Sequence, residues 1–146
     1  MDTTTPWVAI VDDEETIRHA LLRLLDSAGI TALAYASGAE LINCMHAHPP
    51  CCVVLDLHMP CINGHQVQAR LAALCPHMHV IAMTGQHSAD GQARVLQYRN
   101  TTYLRKPMPE QALLQAIGLA RLAWLQTHQR AALSHRTSES TGGESP

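Results

Sequence analysis

Five side chains suited to cation and phosphoryl chemistry stand at the ends of short strand-like runs. Asp12 and Asp13 follow Trp7-Val8-Ala9-Ile10-Val11, and Asp56 follows Cys51-Cys52-Val53-Val54-Leu55. Thr84 follows His79-Val80-Ile81-Ala82-Met83, and Lys106 closes the stretch from Thr101 to Arg105. Three carboxylates gathered at one edge repel one another unless a cation intervenes. A hard divalent ion with oxygen ligands, Mg²⁺ above all, meets that need and keeps positions open for phosphoryl oxygens. Lys106 supplies a compact positive charge suited to a phosphate, and Thr84 supplies a hydroxyl donor. Asp56 can then act as a nucleophile on phosphorus, giving an acyl phosphate whose charge is shared by Mg²⁺, Lys106 and Thr84.

The elements that must hold these groups are legible as an alternation. The apolar runs suit strands buried on both faces. Between them lie amphipathic stretches: Ile17, Leu21, Leu24, Leu25 and Ala28 at helical spacing, ended by Gly29. Thr31 to Tyr35 makes a second strand, and Ser37 is an N-cap for a helix with Leu41, Ile42 and Met45. Met59-Pro60 and Asn63-Gly64 form a turn-rich link to a helix bearing Val67, Leu71 and Leu74. A weak helix is expected around Ala89 to Tyr98, with Asp90-Gly91 near its start. The last helix starts near Pro109-Glu110 and carries Leu113, Leu114, Ile117, Ala120 and Trp124. Alternating β and α units predict a three-layer, doubly wound (βα)5 parallel sheet of the flavodoxin-like kind. In such sheets ligands bind beyond the carboxyl ends of the strands, and there the five polar groups converge.

The ordered set Asp12-Asp13, Asp56-Leu57-His58-Met59-Pro60, Met83-Thr84-Gly85 and Tyr103-Leu104-Arg105-Lys106-Pro107 resembles the receiver domains of two-component response regulators across roughly residues 6–125. The motif spacing is most similar to receivers of the FixJ type, which are attached to helix-turn-helix output domains. The resemblance implies that Asp56 accepts a phosphoryl group from a sensor histidine kinase, with slow autodephosphorylation; the chain would be a signalling domain rather than an enzyme. It implies Mg²⁺ bound directly by Asp13, Asp56 and the backbone carbonyl of His58, with Asp12 acting largely through water, and a cis Lys106-Pro107 bond. Thr84 and Tyr103 would form the switch, remodelling the face built from the fourth helix, fifth strand and fifth helix. His58 and Gln86 occupy positions flanking the water that attacks the acyl phosphate, and are expected to set its lifetime. Tyr98-Arg99-Asn100-Thr101 departs from the small Ala-Gly-Ala-like step usual in the family before the fifth strand.

Composition narrows the alternatives. The 146 residues carry a formal net charge of -2, so no basic field argues for direct nucleic-acid binding. No apolar run reaches the roughly 20 residues of a membrane span, and Met1 to Pro6 lacks an export signal, so a cytoplasmic location is expected. Five cysteines are an odd number, read as free thiols. Cys44, His46, His48, Cys51 and Cys52 crowd together, but Cys51 and Cys52 should point to opposite faces of a strand; small buried hydrophobes are the better account than a metal site. Residues 1–126 are expected to form the receiver and 127–146 a polar tail or linker stub, too short for an output domain. Apolar residues on the last helix suggest a phosphorylation-dependent homodimer through the switch face, or contact with a downstream partner or output domain, a transcriptional output being one reading. The main rival is a protein-interaction module free of phosphate control. An aspartyl-nucleophile phosphatase needs an acid where His58 stands, and a nucleotide-binding protein needs a Gly-rich loop after the first strand; neither feature is present.

Overall fold

The structure, a computed structural model, describes residues 5–45, 48–58 and 64–142, and of 128–142 the backbone alone. Five strands, β1 (Val8–Val11), β2 (Ala32–Tyr35), β3 (Cys52–Asp56), β4 (His79–Thr84) and β5 (Thr101–Arg105), alternate with five helices. These are α1 (Glu15–Ser27), α2 (Gly38–Cys44), α3 (Gly64–Leu74), α4 (Ala89–Leu96) and α5 (Glu110–Gly142). All four strand pairings are parallel, in the order β2-β1-β3-β4-β5. This is the doubly wound (βα)5 flavodoxin-like fold, and the strand order reverses between β1 and β3, where such sheets open a crevice.

Strand alternation divides the core. Val8, Ile10, Cys52, Val54, Ile81 and Met83 face one side, against Leu25 of α1 and Leu113, Ile117 and Ala120 of α5. Ala9, Val11, Val53, Leu55 and Val80 face the other, against Leu41 and Ile42 of α2 and Val67 and Leu71 of α3. The period-2 and period-3.6 patterns therefore meet in two apolar layers. Ser37 caps α2 as expected, its hydroxyl accepting from the Glu40 amide at 3.2 Å. Gly29 ends α1 at φ 74° and Asn100 precedes β5 at φ 58°, two left-handed residues where a glycine and an asparagine are the least strained choices.

Several expectations are corrected. β3 begins at Cys52, so Cys51 escapes the strand's alternation, and both cysteines join the same apolar cluster. Leu74 is 55% exposed rather than part of the core, because α3 ends there. The last helix runs further than its apolar pattern: α5 continues past residue 126 to Gly142, through good helix formers that include Gln129, Arg130, Ala131, Ala132 and Leu133. His46, Cys61 and the turn residues Met59, Pro60 and Asn63 lie outside the described residues.

One contact links the fold to the rim. A Cβ on Gly64 would come within 2.5 Å of the Leu57 Cα and 2.7 Å of the Asp56 carbonyl oxygen. Backbone cannot yield as a flexible side chain can, so Gly64→Ala is expected to destabilise the fold by roughly 1–3 kcal/mol, read as a lower urea midpoint with an unchanged m-value. A midpoint equal to wild type would show that α3 shifts away without cost.

Candidate functional site

Register does the assembling. Val11 pairs with Leu55, so the next residues, Asp12 and Asp56, lie side by side at the crevice. Asp56 pairs with Met83 and Thr84 with Arg105, which sets Thr84 and Lys106 beside them. The Lys106 amide donates to the Thr84 carbonyl at 2.7 Å, extending the β4–β5 ladder by one bond, and the Lys106-Pro107 peptide is cis. The five groups that sequence spacing sends to one rim are thus together.

Asp12, Asp13 and Asp56 each offer a carboxylate oxygen within 4.8 Å of the others, the one such cluster of His, Cys, Asp or Glu among the described residues. Asp12 is fully buried, Asp13 exposed, and the Asp56 side chain keeps 8% of its surface, a narrow opening rather than a seal. Lys106 Nζ lies 3.9 Å from both Asp12 Oδ2 and Asp56 Oδ1, a charge balance without a close hydrogen bond. Asp12 Oδ1 accepts from the Glu14 amide at 2.9 Å, and Arg18 donates to the Asp12 carbonyl at 2.8 Å, so the acidic loop is held at both ends. Asp12 Oδ2 has no hydrogen-bond partner despite complete burial. Burial pushes the Asp12 carboxyl above the ordinary range and the Asp56 charge adds to this, while the Glu14 amide and Lys106 oppose it.

An unpartnered buried carboxylate oxygen beside two further carboxylates fits a bound divalent cation. Oxygens sharing one octahedral Mg²⁺ at about 2.1 Å lie at most about 4.2 Å apart, so the observed cluster needs only small side-chain adjustment. Asp56 also anchors its own loop, Oδ1 accepting from the His58 amide at 3.1 Å.

Thr84 is more heavily engaged than its sequence context suggested. Its hydroxyl donates to the Gln86 carbonyl at 3.1 Å, accepts from the Gln86 amide at 3.0 Å, and lies 2.7 Å from His58 Nε2. The Gln86 side chain is exposed. Tyr103 is half-buried against Leu57, Ala82 and Val95, and its hydroxyl lies 3.0 Å from His87 Nδ1 with the two rings edge-on. His87 was missed in the sequence because nothing in its loop distinguishes it from a solvated residue. The His58–Thr84 contact was legible in principle: with Asp56 paired to Met83, residues just past each strand end must be neighbours. Ser88 was missed as the α4 cap; its side chain accepts from Gly91 at 3.0 Å.

Comparison with known proteins settles the family. The model of the response regulator receiver domain matches residues 8–118. The chain belongs to that family. Receiver domains are signalling domains of two-component response regulators, and among this receiver's relatives Nodulation protein W of Bradyrhizobium diazoefficiens is 30% identical over 115 residues, covering 79% of this chain and 51% of that protein. Transcriptional regulatory protein FixJ of Azorhizobium caulinodans is 29% identical over 110 residues, 75% of this chain and 52% of FixJ, in keeping with the likeness in motif spacing. The receiver thus spans about half the length of these curated relatives. The solved "BeF3 Activated DrrB Receiver Domain", from a Thermotoga maritima protein, superposes with a TM-score of 0.70 at 21% identity, over 80% of this chain and 97% of that one, which shows the shared fold. No helix among the described residues is long and apolar enough to cross a membrane.

The raised Asp12 carboxyl has a signed consequence. Its folded-state proton affinity exceeds that of the unfolded chain, so its contribution favours the fold at low pH and is lost as pH rises through the raised value. In chelator at neutral pH, Asp12→Asn is therefore expected to be more stable than wild type by urea denaturation, with the difference shrinking as the acidic range is entered. A variant that is less stable at neutral pH would contradict the assignment of Asp12 as a buried, poorly compensated charge.

Proposed function

We propose that this receiver is switched by phosphorylation of Asp56, with a sensor histidine kinase as the phosphoryl source. The observation that carries the reading is the meeting of Asp12, Asp13, Asp56, Thr84 and Lys106 at the crevice between β1 and β3. In the reaction an Asp56 carboxylate oxygen forms a bond to phosphorus as the donor's bond to phosphorus breaks, the donor leaving with the bonding electron pair. Lys106 balances the charge this brings to Asp56. Asp12, Asp13, Asp56 and the His58 carbonyl would hold Mg²⁺, Asp12 largely through water; bound there, the ion neutralises phosphoryl oxygens.

The same reading gives Thr84 and Tyr103 the switch. The Thr84 hydroxyl turns to the new phosphoryl oxygen, and Tyr103 follows into the space it leaves. The α4–β5–α5 face then changes for a partner: an output domain, as in a transcriptional regulatory protein such as FixJ, or a second copy of this chain. His58 and Gln86 set how long the acyl phosphate survives attack by water, followed by slow autodephosphorylation. The receiver works in the cytoplasm, with the phosphoacceptor unit within residues 1–126 and the stretch 127–146 as a connecting segment. Support for a phosphoryl-responsive state comes from the fold-mate DrrB, whose receiver is described as activated by BeF3.

Incubation with acetyl phosphate and Mg²⁺, followed by intact mass, is expected to add one phosphoryl group to wild type and none to Asp56→Asn; labelling that survives the substitution would defeat the proposal. Mg²⁺ alone at a hundredfold excess over its Kd should stabilise the fold by about 2.7 kcal/mol, and by much less in Asp13→Ala. Replacing His58 and Gln86 together should alter the decay rate of the labelled species, and identical decay would remove them from that role.

A further inference from the structure

The hydroxyl of Thr84 has one proton to give and two lone pairs to receive with, and all three are committed. It donates to the Gln86 carbonyl and accepts from the Gln86 amide. The third capacity meets His58 Nε2 at 2.7 Å, the shortest of the three contacts. In the alternative tautomer the hydroxyl proton goes to the imidazole instead, and the Gln86 carbonyl is forgone. Either way the hydroxyl's one proton is committed. Turning to any new acceptor near Asp56 requires it to break a bond it now holds.

His58 is well placed to be a tether rather than a passive neighbour. Its backbone is fixed by its own amide, which donates to Asp56 Oδ1 at 3.1 Å. The ring therefore reaches Thr84 from an anchored stem, bridging the loop after β3 to the end of β4. The Gln86 bonds, by contrast, are local, formed within two residues of Thr84. His58 is thus the tertiary contact among the three.

We propose that His58 is a positioning residue that latches the Thr84 hydroxyl in the unphosphorylated arrangement, so that the imidazole and a phosphoryl oxygen compete for it. The proposal rests on the phosphoacceptor reading of Asp56 and deepens it: His58 sets how much phosphoryl binding is needed to move the switch. A bond present in one of two states shifts their populations by its own weight. A half-buried imidazole–hydroxyl bond is worth about three- to tenfold in an equilibrium constant.

The test titrates beryllofluoride, a phosphoryl mimic, into full-length protein saturated with Mg²⁺. Wild type, His58→Ala, Thr84→Ala and the double variant are compared. His58→Ala is expected to tighten the apparent affinity about three- to tenfold when Thr84 is present, and to change it less than twofold when Thr84 is already alanine. Nitrogen NMR of the wild-type imidazole should report a changed environment at His58 Nε2 on mimic binding. Unchanged or weaker affinity in His58→Ala overturns the latch, and so does an equal gain in the Thr84→Ala background, which would mean that the ring acts directly on the mimic. Asp56→Asn separates the two levels of the argument. If it binds the mimic as wild type does, the phosphoacceptor reading falls and takes the latch with it. If binding depends on Asp56 and His58→Ala is silent, the latch alone fails.

Discussion

A buried carboxylate beside a second one is the constraint to which the rest of this structure answers. Asp12 is removed from water, and one of its oxygens has no hydrogen-bond partner. An isolated charge in that position would be expelled or neutralised. It stays because β1 and β3 are bonded in a register that gives Asp12 and Asp56 no freedom to part, and because Lys106 reaches over both at 3.9 Å. The apolar layers on either side of the sheet supply the stability against which that electrostatic strain is held. On the phosphoacceptor reading, function is stored as incomplete charge compensation at a rim, which a cation and an anion would complete.

How much of this the sequence disclosed depends on the range of the interaction. The strands were legible because a parallel sheet buried on both faces leaves unbroken apolar runs such as Val8 to Val11 and Val53 to Leu55. Asp12, Asp56 and Thr84 were legible because each follows such a run, Lys106 because it closes a shorter strand pattern, and strand ends in this topology share one edge. Cys51 was misplaced because β3 begins one residue later than its apolar run, and a residue before the strand is not bound by the strand's alternation. Leu74 was misplaced because periodicity continues to the end of a helix whether or not a neighbour remains to cover it. The pairing of His87 with Tyr103 lay beyond reach: it joins an exposed loop residue to a half-buried residue of β5 sixteen positions on, and no local pattern marks it.

Two histidines therefore stand next to the two residues assigned to the switch, His58 against Thr84 and His87 against Tyr103. Neither imidazole is part of the apolar core, and both come from segments outside the strands. The chemistry proposed for the rim falls to residues whose position the sheet dictates, whereas the contacts to the proposed switch side chains come from loops, where sequence is freer to vary without loss of the fold. That division separates what makes the chain a receiver from what would tune it.

The path from rim to surface is short in covalent terms. Thr84 ends β4, its hydroxyl grips the backbone of Gln86, His87 meets Tyr103, and Ser88 caps α4. α4 is a slight element: Val95 is its one buried residue, and the Val95 carbonyl is held from two sides, by Gln68 of α3 at 3.0 Å and by the Thr101 hydroxyl of β5 at 3.2 Å. The carboxyl end of α4 is consequently pinned to the body of the domain, while its amino end is fastened by the cap and by the loop leading from Thr84. If Thr84 is the switch, a helix pinned at one end and led by it at the other would answer a small displacement by swinging rather than by unfolding. On the phosphoacceptor reading, a change of hydrogen-bond partner at Thr84 is delivered to the least buried helix of the α4–β5–α5 face within four residues, and no longer chain of intermediaries is required.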